Sequence, residues 1–113
     1  MKNGLYSVTA QGFDGVEWPP GGVFFLQNGV LLGGRSFMYY VGSYTCEDGI
    51  FKAECVAKPH TPPPPSHLYF NTEEVGVGLV GPYEGDQAEI TGTVFFSKRS
   101  LTLKLTLQKL ADI

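Results

Sequence analysis

Positive charge is scarce in this chain, with eight Lys and Arg against eleven Asp and Glu in 113 residues and a formal net charge of -3. Nothing resembling a basic stripe is available to neutralise phosphates, so binding to DNA or RNA is not expected, and anionic membrane surfaces are disfavoured. Cysteine is scarce too. Cys46 and Cys55 fit no metal-ligand or redox spacing, which predicts free thiols in a reducing compartment and cytoplasmic residence. No apolar run approaches a membrane span, and the opening Met1-Lys2-Asn3-Gly4-Leu5-Tyr6-Ser7 breaks into alternation where a secretory signal needs an unbroken apolar region. Catalytic groupings are missing as well. The acids are scattered through turns, and neither His60 nor His67 stands near a Ser or Cys in a nucleophile motif, so no catalytic residue is assigned and no enzyme is expected. The two histidines bracket a proline run without a Cys or carboxylate cluster, which reads as exposed loop rather than metal site, and no cofactor is expected.

Gly and Pro, in contrast, are plentiful: fifteen and eight, falling between short apolar runs in a chain that is 42% apolar and 13% aromatic. That is how turns punctuate an all-β protein. Alternation over 4–11 puts Tyr6, Val8 and Ala10 on one face and Ser7 and Thr9 on the other. Strands are predicted next over 23–27 and 30–32, joined by Asn28-Gly29, a dipeptide suited to a type I′ hairpin because both positions need φ > 0. Further strands are predicted over 37–44, 50–58, 67–70, 75–80, 88–96 and 101–108, with turns at 45–49 and 82–86 and a proline-rich connector around 62–65. The last is the plainest: Leu101, Leu103, Leu105 and Leu107 alternate with Thr102, Lys104, Thr106 and Gln108. About eight short strands in sequential hairpins predict one domain, 1–113, folded as a small antiparallel up-and-down β-barrel. Gly33-Gly34 and Gly76-Val77-Gly78 open no helix after a strand, so they are read as points of bending and close packing in the wall rather than phosphate cradles.

The run 37–44 is apolar at both parities, Phe37, Tyr39 and Val41 on one side and Met38, Tyr40 and Tyr44 on the other, which predicts two buried faces. A dimer interface built from Phe37, Met38, Tyr39, Tyr40 and Tyr44 is one explanation; an apolar ligand held in the barrel among Phe24, Leu26, Phe51 and Leu103 is the other. Glu47-Asp48, at a hairpin tip, forms a candidate docking point for a basic protein partner.

Lys2-Asn3-Gly4-Leu5-Tyr6-Ser7-Val8, then Gly22-Val23-Phe24-Phe25-Leu26-Gln27-Asn28-Gly29 with Gly33-Gly34, then Tyr40-Val41-Gly42 before an acidic turn, together resemble the GrlR-like family, negative regulators of type III secretion loci. The order and spacing match over roughly the first half of the chain. The resemblance implies a lipocalin-like or calycin-like barrel, a homodimer, and repression by binding a transcriptional activator rather than DNA. It also implies that an acidic stretch on this hairpin contacts the activator; the matching positions are Cys46-Glu47-Asp48-Gly49, so two acids stand where the family has four, and Arg35 stands where it has an acid.

Overall fold

Alternating sequences interrupted by residues that tolerate φ > 0 have one economical solution, a meander in which each strand pairs with the next. The computed structural model describes residues 1–12, 22–62, 74–96 and 99–113. Its strands are β1 (Gly4–Gly12), β2 (Gly22–Gln27), β3 (Val30–Gly34), β4 (Met38–Glu47), β5 (Ile50–Pro59), β6 (Val75–Glu84), β7 (Gln87–Phe96) and β8 (Arg99–Asp112). Each is antiparallel to its sequence neighbour, and β8 returns to pair with β1, closing the expected up-and-down barrel. Closure leaves no terminal edge strand among the described residues.

Asn28-Gly29 adopts the expected type I′ geometry, and the turn expected over 45–49 contracts to Asp48-Gly49, which shares it. Asn28 and Gly29 have φ of 49° and 85°, Asp48 and Gly49 of 52° and 76°, the double positive φ of type I′. Elsewhere the strands outrun their sequence signal. The turn expected over 82–86 contracts to Gly85-Asp86, with β6 running through Pro82 to Glu84, and β8 extends to Asp112. The strand expected over 67–70 lies outside the described residues. Among the described residues no helix is long and apolar enough to cross a membrane.

Side chains of inward parity fill the barrel. Tyr6, Leu26, Leu31, Phe51 and Leu107 are fully buried, and small residues on β5, Ala53, Cys55 and Ala57, keep the packed interior from overfilling. Tyr44 stacks on Phe51 at 5.7 Å between ring centres, and Phe24 meets Tyr40 edge-on at 5.6 Å. The glycines divide into two kinds. A β-carbon on Gly42 would collide with the Glu54 carbonyl and the Cys55 backbone, and one on Gly81 with the Glu89 carbonyl and the Ile90 backbone. At Gly33 it would strike Phe24 at 2.8 Å, as close packing predicts. Gly76 and Gly78 are different, because nothing lies within 4 Å of the β-carbon either would carry. Close packing therefore does not account for them, and their φ values are not positive.

The two ends of the barrel also differ. The short hairpins β2–β3, β4–β5 and β6–β7 share one end with the start of β1 and the finish of β8; the longer connections 12–22 and 59–75 leave from the other. At the hairpin end the Asn3 side chain both donates to Asn28 Oδ1 (3.1 Å) and accepts from the Asn28 backbone N–H (3.0 Å), while the Tyr6 hydroxyl donates to the Lys2 carbonyl at 2.6 Å. Lys109 continues the inward parity of β8; its side chain is 12% exposed, and its ammonium lies 3.1 Å from Asp86 Oδ1 and 2.6 Å from Asp112 Oδ1. Those hydrogen bonds hold the Lys109 ammonium above its usual range, and Lys109 in turn holds the Asp112 carboxyl below the usual carboxylate range. A depressed carboxyl stabilises the fold above its unfolded-state pKa, about 3.9, and that contribution disappears as pH falls through the lower folded-state value. Asp112→Asn is therefore expected to lower the thermal midpoint at pH 7 and to match the parent at pH 2; an equal deficit at both pH values would remove the ion pair as its cause.

Candidate functional site

Type I′ tips hold their side chains outward on a rigid two-residue turn, which is why the acids at the hairpin end stand free of the wall. Glu47 and Asp48 are both exposed and belong to no ion pair among the described residues. The next hairpin supplies what the sequence reading missed. The Tyr83 backbone N–H donates to the Gly49 carbonyl at 3.0 Å, which draws the end of β6 against the β4–β5 tip and brings Glu84, also exposed and without an ion pair among the described residues, into the same neighbourhood. Asp86 and Asp112 follow along the rim but share Lys109. Five of the eleven acids thus gather at one end of the barrel, where the cations among the described residues include Lys2, Lys109 and, two positions along β5 from the partner of Glu47, Lys52.

The aromatic run divides differently from the interface predicted for it. Along β4, Met38, Tyr40 and Tyr44 point inward and join the core, so they are not surface residues; Tyr39 and Val41 are exposed on the outside. Phe37 precedes the strand and is half-buried. Two buried faces are therefore absent from a single copy: the inner parity is packed and the outer one faces solvent.

Following the register across the outside gives one continuous apolar row. Leu5 pairs with Phe25, Phe25 with Leu32, Leu32 with Val41, Val41 with Val56, Val56 with Gly76 and Gly76 with Phe95. The flanking row is polar over most of its length, reading Ser43, Glu54, Gly78, Thr93 and Thr102. A lipid-facing barrel wall carries an apolar band about 25 Å tall, whereas here Glu54 and Lys58 bracket Val56 on the same outer face. Where the row crosses Gly76 and Gly78 it sinks into a trough of about 430 Å³, bounded by Val41, Val56 and Phe95.

Inside, a cavity of about 70 Å³ lies toward the loop end. Phe24 and Leu103 line it as expected, but Leu26 and Phe51 do not; both belong to the solid core. The polar groups at the cavity are Arg35, Tyr40 and the Cys55 thiol. Burial raises the Tyr40 phenol, Arg35 beside it opposing the shift, and burial pushes the Cys55 thiol up to about 11. A thiol with that pKa stays protonated near neutrality and is a poor nucleophile. Both cysteines are free. A dry site of about 150 Å³ is needed to take benzene, and pockets for drug-sized ligands start near 300 Å³, so the volume admits only a very small guest.

His60 is engaged at both ring nitrogens, with Nε2 donating to the Arg35 carbonyl at 3.0 Å and Nδ1 then left to accept from the Thr61 hydroxyl at 2.8 Å. It ties the β5 terminus to the β3–β4 connection. His67 lies outside the described residues. Among the described residues no three His, Cys, Asp or Glu side chains converge as a metal site. No protein-family model matches the chain, and no curated protein matches it.

Proposed function

We propose that the barrel is a regulatory binding protein of the cytoplasm that sequesters a transcriptional activator, contacting a basic surface of that protein rather than DNA. The observation that carries the reading is the acidic hairpin end, where Glu47 and Glu84 close their strands and Asp48 stands in the turn, all three exposed and without an ion pair among the described residues. Paired with basic residues across an interface, such a cluster speeds encounter and selects the partner by sign of charge. The resemblance of the first half of the chain to negative regulators of type III secretion supports the same reading. Glu84 makes good part of the charge that the β4–β5 hairpin lacks relative to that family. The alternative, a carrier of an apolar ligand, is limited by the 70 Å³ cavity to a guest smaller than benzene.

The test is reversal of the three charges, Glu47→Lys, Asp48→Lys and Glu84→Lys together, in a chain expressed at native level. Capture of a helix-turn-helix activator from the source cells should fall at least about 30-fold, the equivalent of losing some 2 kcal/mol. Raising salt from 50 to 300 mM should weaken the parent complex in the same direction. A complex indifferent to both would take the acidic end out of the reading.

A further inference from the structure

The interior of the barrel is packed unevenly. Leu26, Leu31, Phe51 and Leu107 fill the hairpin end, whereas a void of about 70 Å³ remains toward the loop end, opened in part by the small inward residues Gly22 and Ala57. Neither backbone nor neighbours hold Gly22 to glycine. Its φ is not positive, and the nearest atom to a β-carbon there would be Val8 Cβ at 3.6 Å, an ordinary contact. Arg35 stands where β3 ends, its backbone N–H donating to the Met38 carbonyl at 2.9 Å and its carbonyl accepting from His60 Nε2 at 3.0 Å. Those bonds fix its place at the void. Its guanidinium hydrogen-bonds the Tyr40 side chain, and a phenol that accepts from a guanidinium keeps its own O–H to donate. The sign of charge is opposite to that of the hairpin end. Among the described residues no carboxylate acts on the Tyr40 phenol, and Glu74, at the loop end, lies 3.9 Å from Lys58. Arg35 also stands where the family resembled by the first half of the chain has an acid, so the feature is this chain's own.

We infer that the loop end of the barrel binds a short aliphatic monocarboxylate, the carboxylate held by the Arg35 guanidinium and the Tyr40 hydroxyl and the tail lying in the void between Val8, Val77 and Leu105. The planar fork of a guanidinium matches the two oxygens of a carboxylate. One cation suits one negative charge. A phosphate dianion would set an unbalanced charge against apolar walls, which is costly. Size selects the tail. A site of about 150 Å³ takes the six carbons of benzene, so about 70 Å³ takes about three, which makes butyrate the best-fitting straight chain. Burial of the tail strengthens binding about fourfold per methylene, and a guest this small has too little apolar area to be held by burial alone. Charge and tail are therefore both needed. The fixed backbone of Arg35 lowers the cost of ordering the site. The inference does not rest on what the acidic end binds.

Calorimetric titration of the full chain near neutral pH and at constant ionic strength decides it, with the sodium salts of acetate, propionate, butyrate and hexanoate as probes. Affinity should rise about fourfold per carbon from acetate to butyrate and fall again at hexanoate. Butyramide, which has the same shape without the charge, should bind at least about tenfold more weakly than butyrate. Arg35→Gln should weaken butyrate binding by a similar factor, about tenfold or more. Gly22→Ala adds one methyl group to the void without crowding Val8, so it should move the optimum from butyrate to propionate and leave the thermal midpoint equal or higher. It carries the test if Arg35→Gln fails to fold. A parent that butyrate does not saturate by about 50 mM overturns the inference, since a ligand of this size in a fitted site reaches a Kd well below that. Equal binding of butyrate and butyramide overturns it too, as does a chain-length preference that ignores both substitutions. Reversal of the acids at the hairpin end should leave butyrate affinity unchanged, which separates the two readings.

Discussion

Gly42→Ala should cost the barrel about 3 kcal/mol and lower its urea midpoint by about 1 M or more, while Gly76→Ala should leave the midpoint unchanged or raise it. The same methyl group is added to a strand in both cases; only its surroundings differ. At Gly42 the new carbon collides with the Glu54 carbonyl and lies 2.6 Å from Cys55 Cα, both belonging to the neighbouring strand β5. Backbone cannot swing aside as a side chain can, so the β4–β5 ladder must part locally, and its hydrogen bonds go with it. At Gly76 the carbon meets nothing within 4 Å, and the substitution removes conformational freedom from the unfolded chain, worth about 0.4–1 kcal/mol in favour of folding. Urea unfolding of both variants, followed by circular dichroism, measures the contrast. Equal midpoints would mean that β4 does not approach β5 as closely as described.

Phe51→Ala should be the most damaging single truncation of the core, lowering stability by about 3–5 kcal/mol out of the 5–15 kcal/mol typical of such a domain. Phe51 is fully buried, and Tyr44 lies stacked against it, so truncation both returns hydrophobic area to water in the unfolding balance and leaves a void beside a ring that has few rotamers with which to fill it. Phe95→Ala is the matched control. That ring lies on the outside, 57% exposed, and its removal should change the stability of the monomer by no more than about 0.5 kcal/mol. If the two truncations cost the same under conditions where the chain is monomeric, the assignment of inner and outer faces on β5 and β7 is wrong.

The barrel was legible in the sequence because its signals are local. Asn28-Gly29 and Asp48-Gly49 name their own turn type, and the leucines of β8 alternate too regularly for a helix. Which face of β4 lies inside was not legible, since both parities are apolar; the register with β5 sets the inward Tyr40 and Tyr44 opposite Ala57 and Ala53, where space exists, and Met38 follows on the same parity opposite Pro59. Glu84 was missed for another reason. It joins Glu47 and Asp48 through the contact of Tyr83 with Gly49, and proximity between different hairpins is a product of barrel curvature, which leaves no mark on spacing. At Gly76 and Gly78 the close packing expected of a strand glycine is absent, since nothing lies within 4 Å of a β-carbon at either place, and a strand glycine looks the same in sequence whether or not a neighbour crowds it.

Closure of β8 onto β1 has a practical side. Gly4 pairs with Asp112, so anything fused ahead of Met1 or after Ile113 emerges at the same end of the barrel as Glu47, Asp48 and Glu84. A bulky fusion partner there would shield the acids, and a polyhistidine tail, partly protonated in mildly acidic buffer, would neutralise them. If the acidic end binds the activator as proposed, capture experiments with terminal labels would then report a weak or absent complex for reasons of handling alone. A label inserted at the opposite mouth of the barrel leaves the acidic end clear.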